Sequence, residues 1–249
     1  MELLSNERID DLLWGGLRII QNSQAPCFSL DAVLLAAFTT LPHPKRPALA
    51  LDLGTGTGII PLLLSRRFPQ LSLTGVELLP AMADMARRSV DLNGLNEQIN
   101  ILELDLRRAA EVLGRARYDL VTSNPPYYKL GEGRQNQNPL AAASRSELYC
   151  CLEDIISQGA ALLSPGGIFV LVQRACRLTE AICLAHRFGL QPLALRQVQP
   201  FAKEEANLFL LRAKKGSQEQ LRILPPLIIY EESGDYSREI QAIMIGDRN

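Results

Sequence analysis

The chain has 249 residues, 47% of them hydrophobic and 21% charged, with 26 Lys and Arg against 27 Asp and Glu. This composition is globular and excludes a disordered chain, while a net charge of −1 excludes a polycation that coats nucleic acid through bulk charge. The length suits one large domain, or one domain with small additions, whose core needs no metal or disulfide staple.

In chain order, residues 17–21 after Gly15-Gly16 read as a short strand, and Ser29 as the N-cap of an apolar helix over 30–38. The proline-broken stretch 41–47 ends that helix. From Ala48 onward, strand-length apolar runs at 48–53, 71–76, 99–104, 118–123 and 168–172 alternate with helical patterns at 61–67, 81–93, 106–113 and 147–163. Ser164-Pro165-Gly166-Gly167 reads as a helix stop and turn. A helix at 178–188 precedes strands at 190–199 and 208–213, expected to form an antiparallel hairpin ending the sheet. Alternating strands and helices predict an α/β fold: a doubly wound, mostly parallel sheet of seven strands. Residues 1–47 are expected to form an N-terminal extension, 48–216 the core and 217–249 a tail packed on it.

The five cysteines (Cys27, Cys150, Cys151, Cys176, Cys183) form no C-x-x-C pair, and His43 and His186 are the only histidines. Buried free thiols in a reducing compartment are expected, with no metal site. The first eight residues lack a basic stretch followed by an apolar one, and no apolar run approaches the roughly 18–20 residues of a membrane span. A cytoplasmic protein is the expectation.

The first core strand runs into Asp52-Leu53-Gly54-Thr55-Gly56-Thr57-Gly58. Glycines here take positive φ and let the backbone approach a ligand, and ligands bind outside the carboxyl ends of such strands. Ile59-Ile60 after Gly58 excludes a P-loop, and the G-x-G-x-G spacing departs from the dinucleotide G-x-G-x-x-G. The second strand ends at Glu77, 23 residues after Gly54, where an acid can grip a ribose diol. The third ends at Asp105, followed by Leu106; that acid suits either a base contact or a helix N-cap.

The fourth strand ends in Asn124-Pro125-Pro126-Tyr127. Two prolines fix the backbone, the Asn124 side chain supplies an oxygen acceptor, and an aromatic ring follows. This is a receptor for a planar NH2 group. Such an amine is a poor nucleophile because its lone pair is delocalised, and acceptors on its hydrogens stabilise the charge that grows on nitrogen.

With this loop and these acids, the chain resembles the class I S-adenosylmethionine-dependent methyltransferases, whose sheet is Rossmann-like, over residues 48 to about 213. The resemblance implies that Asp52, Gly54, Thr55, Gly56, Gly58, Glu77, Asp105, Leu106 and Asn124 line the cofactor, which leaves as S-adenosylhomocysteine. The N-P-P-Y motif is similar to that of methyltransferases acting on adenine N6 or on glutamine amide nitrogen. It implies catalytic roles for Asn124, Pro125, Pro126 and Tyr127.

Two substrates compete. The release-factor glutamine methyltransferases carry a sizeable helical domain ahead of the glycine loop, whereas only about 47 residues precede it here. The segments Gly16-Leu17-Arg18-Ile19-Ile20-Gln21, Val198-Gln199-Pro200-Phe201 and Pro225-Pro226-Leu227-Ile228-Ile229-Tyr230 resemble the bacterial tRNA (adenine-N6) methyltransferases that act beside the anticodon of valine tRNA. One departure is Ser146, where that family's pattern has His. Under this reading the partner is tRNA, with Tyr127 stacking on the base and Lys129, Arg134, Arg145 and Arg177 meeting phosphates. Arg66-Arg67, Arg87-Arg88 and Arg107-Arg108 read as solvated helix faces. A non-catalytic RNA-binding protein keeping this fold, and a nicotinamide oxidoreductase, are the readings from other classes.

Overall fold

The computed structural model describes residues 3–23, 30–43, 46–125 and 150–246. In chain order the elements are β1 (Glu7–Asp11), β2 (Arg18–Asn22), α1 (Leu30–Phe38), β3 (Ala48–Leu53), α2 (Ile59–Arg67), β4 (Leu71–Glu77), α3 (Pro80–Leu92) and β5 (Ile99–Glu103). A 3-10 turn (Leu106–Arg108) leads into α4 (Ala109–Leu113), followed by β6 (Tyr118–Ser123), α5 (Leu152–Leu162), β7 (Leu163–Arg174), α6 (Leu178–Arg187), β8 (Leu190–Gln199) and β9 (Leu208–Lys215). The tail adds β10 (Arg222–Ile223), β11 (Leu227–Ile228) and α7 (Arg238–Met244). Ser29 and residues 147–149 of the expected fifth-strand helix lie outside the described residues.

The sheet runs β10-β8-β9-β7-β6-β3-β4-β5, with β11 also on β8, and is parallel except for β9. The seven expected strands are all present, in a sheet of nine. Two differences follow from strand pairing. The antiparallel β8–β9 hairpin forms as expected, with β9 between β7 and β8, but it is not the edge of the sheet, because β10 and β11 pair with β8 beyond it. The tail is not merely packed on the core, because its two short strands extend the sheet beside β8. Its apolar run is broken by Pro225-Pro226, and proline confines a segment to a sheet edge.

Ser164–Gly167 proves to be a bulge inside β7. Leu163 pairs with Tyr118 and Ile168 with Leu120, so four residues on one strand face a single residue on the other. Gly166, at φ +80°, takes up the distortion.

The period of two along the strands fills two layers. Ile168, Val170 and Val172 face the layer built on α1, α2 and α3, whereas Phe169 and Leu171 face the one built on α4, α5 and α6. The sheet is therefore covered on both sides, as parallel sheets require.

β1 and β2 pair as an antiparallel hairpin lying on α3. The backbone N–H of Ile20 donates to Ser89 Oγ at 2.9 Å, and Arg88 Nη1 donates to Glu7 at 2.8 Å. Arg88 is thus no solvated helix charge, and its guanidinium holds the Glu7 carboxyl below the usual carboxylate range. Trp14 Nε1 donates to the Ile243 carbonyl at 2.8 Å, which ties the N-terminal segment to the tail.

The thiols also differ from expectation. Among the described residues Cys150, Cys151, Cys176 and Cys183 form no disulfide, but the last three are exposed and Cys150 is only half-buried; Cys27 lies outside the described residues. Cys176 and Cys183 sit on the outer turn and helix over the second layer, whose inward positions are taken by Ala181, Leu184 and Ala185.

Among the described residues, no helix is long and apolar enough to cross a membrane, and no three His, Cys, Asp or Glu side chains gather as a metal site.

Candidate active site

Strand register assembles the site. Asp52 pairs with both Gly75 and Thr122, and Glu77 pairs with Glu103. Gly54, Glu77, Asp105 and Asn124, far apart in sequence, therefore end neighbouring strands at one carboxyl edge. This edge is where open α/β sheets bind ligands.

Gly54, Gly56 and Gly58 have φ of +73°, +58° and +87°, a region that only glycine enters without strain. A Cβ on Gly58 would also come within 3.2 Å of Ala86 Cβ, so the loop is pressed against α3. The Gly54 and Thr55 amides both donate to the Val76 carbonyl, at 3.0 and 2.9 Å.

Glu77, only 9% exposed, organises this loop. One carboxylate oxygen accepts from the Gly56 amide and the other from the Leu79 amide, each at 2.9 Å. Burial pushes its pKa up, and these backbone bonds oppose the rise.

Asp52 lies fully buried beneath the loop, and burial raises its pKa to about 6. Thr122 opposes that rise through a 2.7 Å bond from its Oγ1 to Oδ1. The Thr55 hydroxyl opposes it too, from outside bonding geometry. Among the described residues, two buried oxygens, Asp52 Oδ2 and Thr55 Oγ1, have no hydrogen-bond partner in bonding geometry.

Asp105 takes the N-cap position: its side chain accepts from the Arg107 amide at 3.0 Å and pairs with the Arg107 guanidinium. Leu106 beside it is buried. Asn124 is half-buried and Pro125 buried. Pro126, Tyr127, Lys129, Arg134, Arg145 and Ser146 lie outside the described residues.

Arg177 departs from expectation. It is 5% exposed, and its guanidinium bonds Glu180 at 2.7 and 3.1 Å, so it is not an open rim cation. The polar pair Thr122-Ser123, within an otherwise apolar strand, had no assigned role. It clamps the two site strands together: Thr122 on Asp52, and Ser123 Oγ on the Leu53 carbonyl at 2.9 Å. Two hydroxyls at fully buried strand positions were the signal.

A family model described as the methyltransferase small domain matches residues 22–197. The chain belongs to that family. A tRNA1(Val) (adenine(37)-N6)-methyltransferase of Porphyromonas gingivalis is 31% identical over 214 residues, covering 84% of this chain and 83% of the relative. The protein of the same name from Aeromonas hydrophila is 30% identical over 210 residues, covering 83% and 84%. The crystal structure of a predicted O-methyltransferase from Agrobacterium tumefaciens superposes with a TM-score of 0.70 at 26% identity, covering 88% of this chain and 99% of that one.

For a methyltransferase of this kind the donor is S-adenosylmethionine, and the residues present fit it. The left-handed glycines leave a cradle without side chains, and the two orphaned oxygens of Asp52 and Thr55 lie under it. Such buried polar atoms are costly unless a ligand or water satisfies them.

The buried carboxyl of this methyltransferase makes stability pH-dependent. Asp52 titrates higher folded than unfolded, so the native state binds the extra proton, and the stability this provides is lost as pH rises from about 4 to about 6. A shift of about two units corresponds to roughly 3 kcal/mol at most. Denaturant unfolding of the ligand-free protein between pH 4 and pH 7 should show this loss, and Asp52→Asn should flatten it. Identical pH profiles for the two proteins would remove Asp52 as its source.

Proposed function

We propose that this protein transfers a methyl group from S-adenosylmethionine to the N6 amine of the adenosine at position 37 of a valine tRNA, in the cytoplasm. The observation that carries this reading is Asn124-Pro125 at the carboxyl end of β6, level with the Gly54–Gly58 loop on β3.

S-adenosylmethionine supplies an electrophilic methyl carbon on a sulfonium and leaves as S-adenosylhomocysteine. The glycine loop holds its amino-acid end. Glu77 accepts from the ribose hydroxyls with the lone pairs its backbone bonds leave free, and Asp105 and Leu106 meet the adenine. Asn124 Oδ1 and the backbone carbonyl beside the prolines accept the two N6 hydrogens. This draws the nitrogen lone pair out of conjugation and toward the methyl carbon. As the new N–C bond forms, the nitrogen becomes cationic, and it then releases a proton to solvent. Tyr127 stacks on the target base. Alignment for direct displacement supplies much of the acceleration.

The relatives named for tRNA support tRNA over release factor as substrate. Lys129, Arg134 and Arg145, just beyond the amine receptor, supply phosphate contacts. A target base must leave its stack, which is easiest in a single-stranded loop.

The test offers purified protein and labelled S-adenosylmethionine either total tRNA or release factor, and maps the modified nucleoside. Labelled N6-methyladenosine beside the anticodon is expected. Labelling of release factor alone would replace this reading with the glutamine methyltransferase. Binding of tRNA should weaken with salt at a log–log slope of about −0.7 per single-strand phosphate contacted. Neutralising Arg134 or Arg145 should make that slope shallower and leave cofactor affinity unchanged; unaltered slopes would remove both from the interface.

A further inference from the structure

A second cavity lies away from the methyl-transfer edge. It has a volume of about 560 Å³ and lies between α1, the α2–β4 turn, β8, β9 and α7. Its wall includes Thr40, which precedes β3, and Phe68, which precedes β4, so it adjoins the amino ends of strands whose carboxyl ends carry the glycine loop. The volume is within the roughly 300–1,000 Å³ usual for small-molecule sites.

Its chemistry is two-sided. Leu34, Leu210 and Leu227, each 1% exposed, belong to the apolar part of the wall, with Phe38 beside them. The charged part consists of Arg67, Arg196, Arg212 and Glu239. Arg196 and Glu239 neutralise one another in a bidentate pair at 2.7 and 2.8 Å, so that pair offers no open charge to a ligand.

Arg212 is the telling residue. It is half-buried, rests over the Phe38 ring with its guanidinium carbon 5.2 Å from the centroid, and donates to Thr40 Oγ1 at 3.0 Å. No carboxylate pairs with it among the described residues; burial, and then the Arg222 cation, lower its pKa. A half-buried guanidinium without an anion is unfavourable in the protein alone, and its planar fork is shaped for a carboxylate or phosphate.

We propose that this cavity binds a small amphiphilic anion, a phosphate or carboxylate carried on an apolar body, with its head on Arg212 and its body against Leu34, Leu210 and Leu227. The apolar wall beside Arg212 matches a ligand with an apolar body, which a phosphate of an RNA backbone lacks. The proposal does not depend on the identity of the methyl acceptor.

The test is calorimetric titration of the full chain with octyl phosphate and, separately, with inorganic phosphate. Octyl phosphate should bind, at least tenfold more tightly than inorganic phosphate. Arg212→Gln should weaken octyl phosphate at least tenfold while leaving S-adenosylmethionine affinity unchanged. Ala242→Trp, which adds bulk to the cavity from α7 and removes none of the cations, should weaken it similarly. Thermal melts of both variants establish that they fold. Absence of octyl phosphate binding, or equal binding by the parent and a folded Arg212→Gln protein, would overturn the proposal. So would a lower tRNA affinity with a shallower salt slope in Arg212→Gln alongside no octyl phosphate binding, which would assign the cations to RNA phosphates.

Discussion

Replacing Asn124 by alanine is expected to lower turnover about 100-fold or more while cofactor affinity changes by no more than a few-fold. The reason lies in timing. An exocyclic adenine amine carries little charge in the ground state and becomes cationic as the new bond forms, so an acceptor on its hydrogens acts mainly in the transition state. Removing one such partner typically costs 10²–10³ in kcat, and a loss confined to the transition state appears equally in kcat and kcat/KM. The register that places Asn124 is carried by the Asp52–Thr122 and Leu53–Ser123 hydrogen bonds, which the substitution leaves alone. Single-turnover rates with saturating donor and tRNA provide the measurement. A near-normal rate would remove Asn124 from the reaction.

The second large effect is expected at Glu77. Alanine there should weaken S-adenosylmethionine binding by roughly 10- to 150-fold, the equivalent of a charge-assisted hydrogen bond of about 1.5–3 kcal/mol. The structure adds a second consequence. Glu77 also accepts from the Gly56 and Leu79 amides, so its loss frees both the glycine loop and the start of α3. The ligand-free variant should therefore melt at a lower temperature than the parent. Glu77→Gln separates the two roles only partly, because an amide NH2 can face one backbone donor but not accept from it. Calorimetry is carried out well below the melting temperature. Unchanged affinity in a folded Glu77→Ala protein would sink the ribose assignment, and an unchanged melting temperature would sink its role in holding the loop.

The sheet was legible because the core strands are apolar runs of five or six residues separated by helical spacing, a pattern that fixes an α/β class almost by itself. β1 escaped notice because Glu7–Asp11 is polar. It is held by its pairing with β2 and by Arg88 on a helix some 80 residues away rather than by its own periodicity. The short tail strands escaped because two residues beside a proline pair carry no period, and only the open edge of β8 makes them strands. For the charged residues, sequence gave identity without environment. Arg177 and Arg88 both read as surface cations, and both are bound to nearby or distant glutamates. Arg67 likewise read as a solvated helix charge, yet it lines a cavity.

The sequence by itself determined the chemistry of the site, because that chemistry is written in contiguous residues. Three alternating glycines can take left-handed turns whatever surrounds them, and an asparagine followed by two prolines carries its acceptors in a fixed local geometry. Tertiary structure alone decided what each charge does. The parallel register brings Glu77 back to the Gly56 amide across 21 residues and buries Asp52 under the loop, where desolvation raises its pKa to about 6. The same folding leaves Arg212 half-buried on Phe38, with no carboxylate on it among the described residues. Burial and pairing depend on which strands and helices become neighbours, and those neighbours are set by long-range packing that no local stretch of residues encodes.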